Sequence, residues 1–193
     1  VQREAWVVER IGRDIGGRLH TGRNRGESIR TILPRLFFRN VLHEEQRALL
    51  RLVRALHERA GPVREALAPV YHHLQHAGFT TLGEYLLAWA SNLLPHLDRL
   101  AAADGRLSIS PPPQTGRKIP VEIARSVGQR LGFARAATLR QEMHVTEDQF
   151  GDPFFALTAT AVALSRMAQD FRIWMTSEFD FLDIADAHAS GSS

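Results

Sequence analysis

The sequence predicts an all-α protein built from long helices, and three observations carry that expectation. Apolar residues recur at three- and four-residue steps over three long stretches, the spacing of a helix face. Nowhere is there a convincing run of alternating apolar and polar residues, the mark of a half-buried strand. The three long stretches are also apolar around much of their circumference, more than three helices alone would cover. Such faces pack against further helices or other subunits.

In chain order, residues 1–14 place Ala5, Val8, Ile11 and Ile15 on one helical face, and Gly16-Gly17 is the expected end. Residues 16–26 read as a polar, arginine-rich loop. Glu27 and Ser28 then open a long helix through Ile29, Ile32, Leu33, Leu36, Val41, Leu42, Leu49, Leu50, Val53 and Leu56. Pro34 is expected to kink it, and Gly61-Pro62 to stop it. Residues 66–80, around Pro69 and Gly78, read as a turn or loop. Thr81 caps the next helix, with Glu84 three residues on as a capping box. That helix carries Leu82, Leu86, Leu87, Trp89, Ala90, Leu93, Leu94, Leu97 and Leu100 to about residue 104, with Pro95 as an interruption. Four prolines and two glycines make 105–120 an ordered surface loop. A shorter helix follows over Val121–Leu131. The third long one spans 152–178 through Phe155, Leu157, Ala161, Leu164, Met167, Phe171 and Trp174, and the tail is loop-like.

Composition narrows the function classes. The chain has 193 residues, a net charge of +3, 44% apolar residues and no cysteine. A disulfide framework, a thiol nucleophile and a thiolate zinc site are therefore excluded. No apolar run approaches the ~18 residues of a membrane span, and no charged-then-apolar leader opens the chain. The expectation is a soluble, cytoplasmic protein with no membrane partner. Of its 24 basic residues only Lys118 is a lysine, so the pI of about 10.1 is set by arginine. With 21 acidic residues spread among them there is no dense basic block, and no nucleic-acid partner is expected.

Two clusters stand out. In RLHTGRNR (18–25), three arginines, His20 and Thr21 lead into a helix start, where free N–H groups and guanidinium forks suit a carboxylate or phosphate. A solvated basic loop is the plainer reading of the same residues. In YHHLQH (71–76), three histidines fall within five residues, but no acidic ligand is adjacent and the spacing does not build a metal site. One of them as a proton donor suits an imidazole, which titrates near neutral pH. The closing Gly191-Ser192-Ser193 has meaning only through what precedes it.

Taken together these segments resemble the argininosuccinate lyase branch of the fumarase/aspartase superfamily. GGRLHTGRNR (16–25) is similar to the family loop G-K-L-H-T-G-R-S-R-N-D. PVYHHLQHAGFTTLGEYLLAWA (69–90) is similar to G-Y-T-H-L-Q-x-A-Q-P-x-T-x-x-H-x-L-L-A-x-A. LSRMAQDFRIW (164–174), SEFDF and DAHASGSS (186–193) follow L-S-R-L-A-E-x-L-I-x-W, E-F-x-F and D-A-Y-S-T-G-S-S. The last triplet would begin the signature G-S-S-x-M-P-x-K-x-N.

The resemblance implies residues 1–15 as the end of an N-terminal helical domain and 16–193 as the first part of the central long-helix bundle, ending at the signature loop. The chain would then be incomplete. It also implies a homotetramer in which three chains contribute to each active site, acting on a small substituted succinate. The implied reaction is a β-elimination releasing fumarate, with no cofactor and no metal. Ser192 would be the base and His73 an acid or oxyanion partner. His20, Thr21, Arg23, Arg25 and Gln75 would bind substrate. The departures from the pattern fall on substrate contacts. Asn24-Arg25-Gly26 replaces S-R-N, and His72 replaces the threonine before the catalytic histidine. The glycine-rich P-L-G-S-G-A-x-A-G-T shrinks to 111–116, and the upstream D-I-H is not recognisable. In LRQEMHVTEDQF (139–150), Glu147 falls where the family has an arginine. Glu147, with His144, would recognise a cationic or hydroxylated group. The expectation is thus a lyase of argininosuccinate lyase type with a substrate other than argininosuccinate. The alternative is a catalytically silent homologue serving as a structural or partner-binding subunit.

Overall fold

The structure is a computed structural model that describes residues 2–20, 28–111, 120–137 and 147–189. Its fold is all-α with long helices, as expected. Helices α1 (Gln2–Ile11) and α2 (Arg13–Gly16) precede α3 (Leu33–Ala60), and α4 (Leu82–Leu107), α5 (Val121–Arg130) and α6 (Gly151–Trp174) follow. The three longest have 28, 26 and 24 residues. Contacts cluster into two compact units. One joins Val1–His43 with Ala102–Gly151, the other Glu44–Ala101 with Asp152–Ser193.

In the first unit the N-terminal helix breaks earlier than the sequence suggested. Gly12 takes φ +83, a left-handed conformation that costs glycine little, and separates α1 from α2. Gly16 has a different job. It is buried as the last residue of α2, and a Cβ there would lie 2.8 Å from the Cα of Val8, so it permits close packing as well as closing the α-helix where the sequence suggested. A 3₁₀ turn, Gly17–His20, follows.

Next to Pro34, where the sequence suggested a kink, a π-helical turn, Ser28–Ile32, directly precedes α3. In an α register the proline ring would meet the carbonyl of Arg30, four residues back, and the wider turn relieves that clash. Residues 105–120 are not one loop. Helix α4 continues to Leu107, and β3 (Ile109–Ser110) pairs in parallel with β4 (Arg135–Ala136); 112–119 lie outside the described residues. Helix α5 ends in a Schellman motif: Gly132 has φ +79, Phe133 N donates to Gly128 O at 3.0 Å and Gly132 N to Gln129 O at 2.9 Å. Leu42, Ala103, Leu107 and Phe133 form this unit's core.

In the second unit, Leu49, Leu56, Leu93, Leu100, Ala156, Met167 and Trp174 are buried. Residues 66–80, read from the sequence as a loop, contain an antiparallel hairpin of β1 (Leu67–His72) and β2 (Gln75–Thr81). The cap of α4 forms as expected, Glu84 N donating to Thr81 Oγ1 at 3.1 Å, while the Glu84 carboxylate accepts from Thr80 Oγ1 at 2.8 Å. Pro95 lies within α4 without ending it. Helix α6 stops at Trp174, short of the expected 178. Phe181 N turns back to donate to Trp174 O at 3.0 Å through the left-handed Asp180, φ +49.

Large apolar side chains remain on the surface of the long helices, among them Phe37 (64% exposed), Phe155 (67%) and Val162 (55%). Among the described residues no helix is long and apolar enough to cross a membrane.

Candidate active site

The part of the expected site that the structure describes in full is the tip of the β1–β2 hairpin. Its register runs from Leu67↔Thr81 to Val70↔Gly78, then shifts, so that Tyr71 pairs with His76 and His72 with Gln75. Ala77 is thus an extra residue on β2, a β-bulge. The hairpin closes on two residues, His73 (φ +52) and Leu74 (φ +61). Positive φ at both positions is the requirement of a type I′ turn, usually met by Asn-Gly. Here a histidine and a leucine meet it, and for leucine that conformation is strained.

His73 is exposed at the first position of this turn, and Gln75, also exposed, opens the returning strand. These two expected site residues therefore share one hairpin tip. His76 Nε2 lies 3.0 Å from Tyr71 Oη, with the rings 4.9 Å apart. Among the described residues no group of three histidines or carboxylates is arranged to hold a metal ion.

The other candidates are only partly within view. His20 ends the 3₁₀ turn Gly17–His20, and Glu147 begins another, Glu147–Phe150, which runs directly into α6. Thr21, Arg23, Arg25, His144 and Ser192 lie outside the described residues. The structure accordingly brings together His73 and Gln75.

Several polar groups that the sequence did not single out are buried. Arg35, in the first turn of α3, is 2% exposed; its Nε donates to Ile109 O at 3.3 Å and its Nη1 to the side-chain oxygen of Gln149. Burial pulls its pKa down to about 10, so it remains a cation at neutral pH. The guanidinium thereby fixes the 3₁₀ turn that Glu147 begins. On α4, His96 is 9% exposed, its Nδ1 3.3 Å from Arg99 Nη1 and 3.4 Å from Thr160 Oγ1. Burial first, and Arg99 second, hold this imidazole below its usual value. Tyr85 donates to Asp170 Oδ2 at 2.6 Å, and burial and that carboxylate raise the phenol's pKa. An arginine in an amphipathic helix reads as a solvated residue. The signal that would have found Arg35 is its place among Ile32, Leu36 and Leu42, on the apolar side.

Known proteins match the chain throughout. A model of the lyase family covers residues 1–193. The argininosuccinate lyases of Mycolicibacterium vanbaalenii and Mycolicibacterium smegmatis are 34% and 33% identical over 193 aligned positions, covering 98% of this chain and 41% of theirs. The chain thus spans about two fifths of the length of these relatives. Among solved structures, EDDS lyase in complex with formate superposes with a TM-score of 0.88 at 25% identity, over 100% of this chain and 39% of that one. The β-carboxy-cis,cis-muconate cycloisomerase of Acinetobacter calcoaceticus, at 21% identity and a TM-score of 0.78 over 92% of this chain and 41% of its own, shares the fold. The chain belongs to the lyase family, as an argininosuccinate lyase-like member of the fumarase/aspartase superfamily.

Proposed function

We propose that the full polypeptide is a carbon–nitrogen lyase of argininosuccinate lyase type, acting on a substituted succinate other than argininosuccinate. Fumarate and an amine or guanidine would be its products. The observation that carries this reading is a contrast within the collinear motifs. The presumed base Ser192 and acid His73 are kept, while Gly26, His72 and Glu147 change the surroundings of the substrate. An EDDS lyase variant with bound fumarate, similar to this chain at a TM-score of 0.82 and 25% identity, supports the product class.

In this mechanism Ser192 Oγ removes the proton from the carbon beside a carboxylate. The electron pair left behind spreads onto that carboxylate as an aci-carboxylate, where preorganised donors stabilise it. It then returns to form the carbon–carbon double bond as the carbon–nitrogen bond breaks. His73, at the hairpin tip, protonates the departing nitrogen or donates to the oxyanion. His20, Thr21, Arg23, Arg25 and Gln75 hold the substrate carboxylates, the arginines through bidentate forks. Glu147 presents a negative charge to a cationic or hydroxylated substituent. No cofactor enters. Residues 1–15 end an N-terminal domain and 16–193 begin the central bundle of a cytoplasmic homotetramer. The apolar residues exposed on α3 and α6 support that assembly, in which sites are shared between subunits.

The test follows fumarate by its ultraviolet absorbance when the full polypeptide meets argininosuccinate and a panel of N-substituted succinates. Fumarate from a substrate other than argininosuccinate is the expected result, and fumarate from argininosuccinate alone overturns the altered substrate. Ser192→Ala abolishes turnover while leaving assembly and ligand binding intact; unchanged turnover removes Ser192 as the base. The charge reversal at Glu147 also favours a second reading, a catalytically silent homologue. Silence of the tetrameric protein across the panel would favour that reading or a substrate that the panel lacks.

A further inference from the structure

The turn at the hairpin tip is made at a cost that its own chain does not return. His73 (φ +52) and Leu74 (φ +61) both lie in the left-handed region. Histidine is among the residue types that enter this region most readily, and leucine is not. Glycine or asparagine in place of Leu74 would make the same turn with less strain. Burial is the ordinary return on such strain, yet among the described residues Leu74 is left 65% exposed. The ladder does not need its side chain either, since the strands close on the His72–Gln75 pair below it. Strain kept without a local gain marks a side chain that something else uses.

What uses it is narrowed by its neighbours. Leu74 stands between His73 and Gln75, with adjacent Cα atoms about 3.8 Å apart. All three are exposed. The third histidine of the cluster is engaged elsewhere, His76 Nε2 lying 3.0 Å from Tyr71 Oη. A substrate that Gln75 holds and His73 protonates therefore meets Leu74 as well. A leucine side chain offers only C–H surface, so it has no use for a carboxylate. It fits the carbon surface of the group on the departing nitrogen, and covering that surface removes apolar area from water.

We infer that Leu74 is a specificity-determining residue of the proposed site, packing on the carbon substituent of the departing nitrogen beside His73. The inference rests on the reading of His73 as the acid and Gln75 as a substrate ligand. It narrows the substrate class to succinates whose nitrogen carries a carbon substituent. Aspartate, whose nitrogen carries none, gives Leu74 nothing to cover.

The experiment uses the full polypeptide. Titration calorimetry measures the binding of N-methylaspartate and N-butylaspartate to the wild type, Leu74→Asn and Leu74→Met. Leu74→Asn is expected to weaken the butyl compound roughly 10-fold more than the methyl one, the scale of lost methylene contacts. Leu74→Met recovers most of that difference, because its side chain offers similar apolar surface. The thermal midpoint supplies a second readout of opposite sign: Leu74→Asn unfolds at a higher temperature than the wild type, as relief of strain requires. Equal losses for the two compounds, or a wild type that does not prefer the butyl one, overturn the inference. So does a lower midpoint, which makes Leu74 a packing residue, or a changed mass in sedimentation, which makes it a contact between copies. His73→Asn separates the inference from the reading beneath it. If that variant keeps full fumarate release across the substrate panel, the acid assignment is removed and the tip is no longer the site. If it is inactive while Leu74→Asn binds both compounds as the wild type does, the role of Leu74 alone is overturned.

Discussion

The two compact units are fastened in different ways. In the first, arginines aimed at oxygen atoms do much of the fastening, beside a ring contact of Phe38 with Phe150 at 5.1 Å. Arg35 donates to Ile109 O and Gln149; Arg39 donates to Asp104 at 2.8 Å and to Gly132 O at 2.6 Å, and His43 Nε2 lies 3.2 Å from the same carboxylate. In the second, rings do much of it: Tyr71 on Phe179, Phe179 on Phe181, Phe181 on Trp174, and Trp174 on Tyr85 at 4.4 Å. A guanidinium fastens by direction, since each N–H must find its acceptor. A ring fastens by area and tolerates a shift of several tenths of an ångström. The difference teaches where each unit is brittle. The arginine unit fails when geometry is lost, the aromatic unit when volume is lost.

Trp174→Ala is expected to have the largest effect, because it removes a buried ring that touches Tyr85, Phe171 and Phe181. A loss of about 3–5 kcal/mol in unfolding free energy, read by denaturant titration, is the scale for such a truncation. Trp174→Phe should recover a good part of it, since area rather than direction is at stake. Arg35→Ala should cost less, about 2–3 kcal/mol, from acceptors left without their donor. Arg35→Lys should rescue little, because a point ammonium does not reproduce the fork. If lysine restores full stability, or phenylalanine restores none, the contrast between the units is wrong.

The smallest effect belongs to His96, where a polar group sits inside the second unit. Its folded pKa is depressed by burial and by Arg99, whereas in the unfolded chain it returns to 6.5. Above 6.5 the imidazole is neutral in both states, and the stability of its neutral packing is complete. As pH falls below 6.5 the unfolded chain binds the proton first, so stability is lost down through the lower folded value. Unfolding free energy measured from pH 7.5 to 5 should show that decline, and His96→Gln should flatten it.

The long helices were legible because a face that must be buried repeats its apolar residues with the period of the helix. What escaped the sequence escaped for physical reasons. The hairpin did not show as alternation because Pro69 and Gly78 interrupt it and the bulge at Ala77 breaks the period of two. Its turn carries His73-Leu74 where a glycine would have announced it. A π-helical turn changes the hydrogen-bond register without changing the residue types that favour it, so Ser28–Ile32 read as ordinary helix. Gly16-Gly17 does end α2, but the earlier break at the single Gly12 went unread, because one glycine inside a helical pattern does not announce a positive φ. Of the candidate site, His73 and Gln75 were singled out through the family motif, and the structure places both at the hairpin tip. The contact of Tyr71 with Phe179 was not legible, because it joins positions about a hundred residues apart that no local pattern connects.

Arg35 also bears on how the chain is made. Its contact with Gln149 spans 114 residues. At the usual pace of ribosomal synthesis, that separation corresponds to roughly 6 to 23 seconds between the emergence of the two partners. Through that interval the guanidinium stays in water at no cost. A leucine in its place would be ready to stick to any passing apolar surface from the moment it left the ribosome. A buried cation is therefore a patient fastener: inert during synthesis, it closes only when the distant half of its own unit arrives.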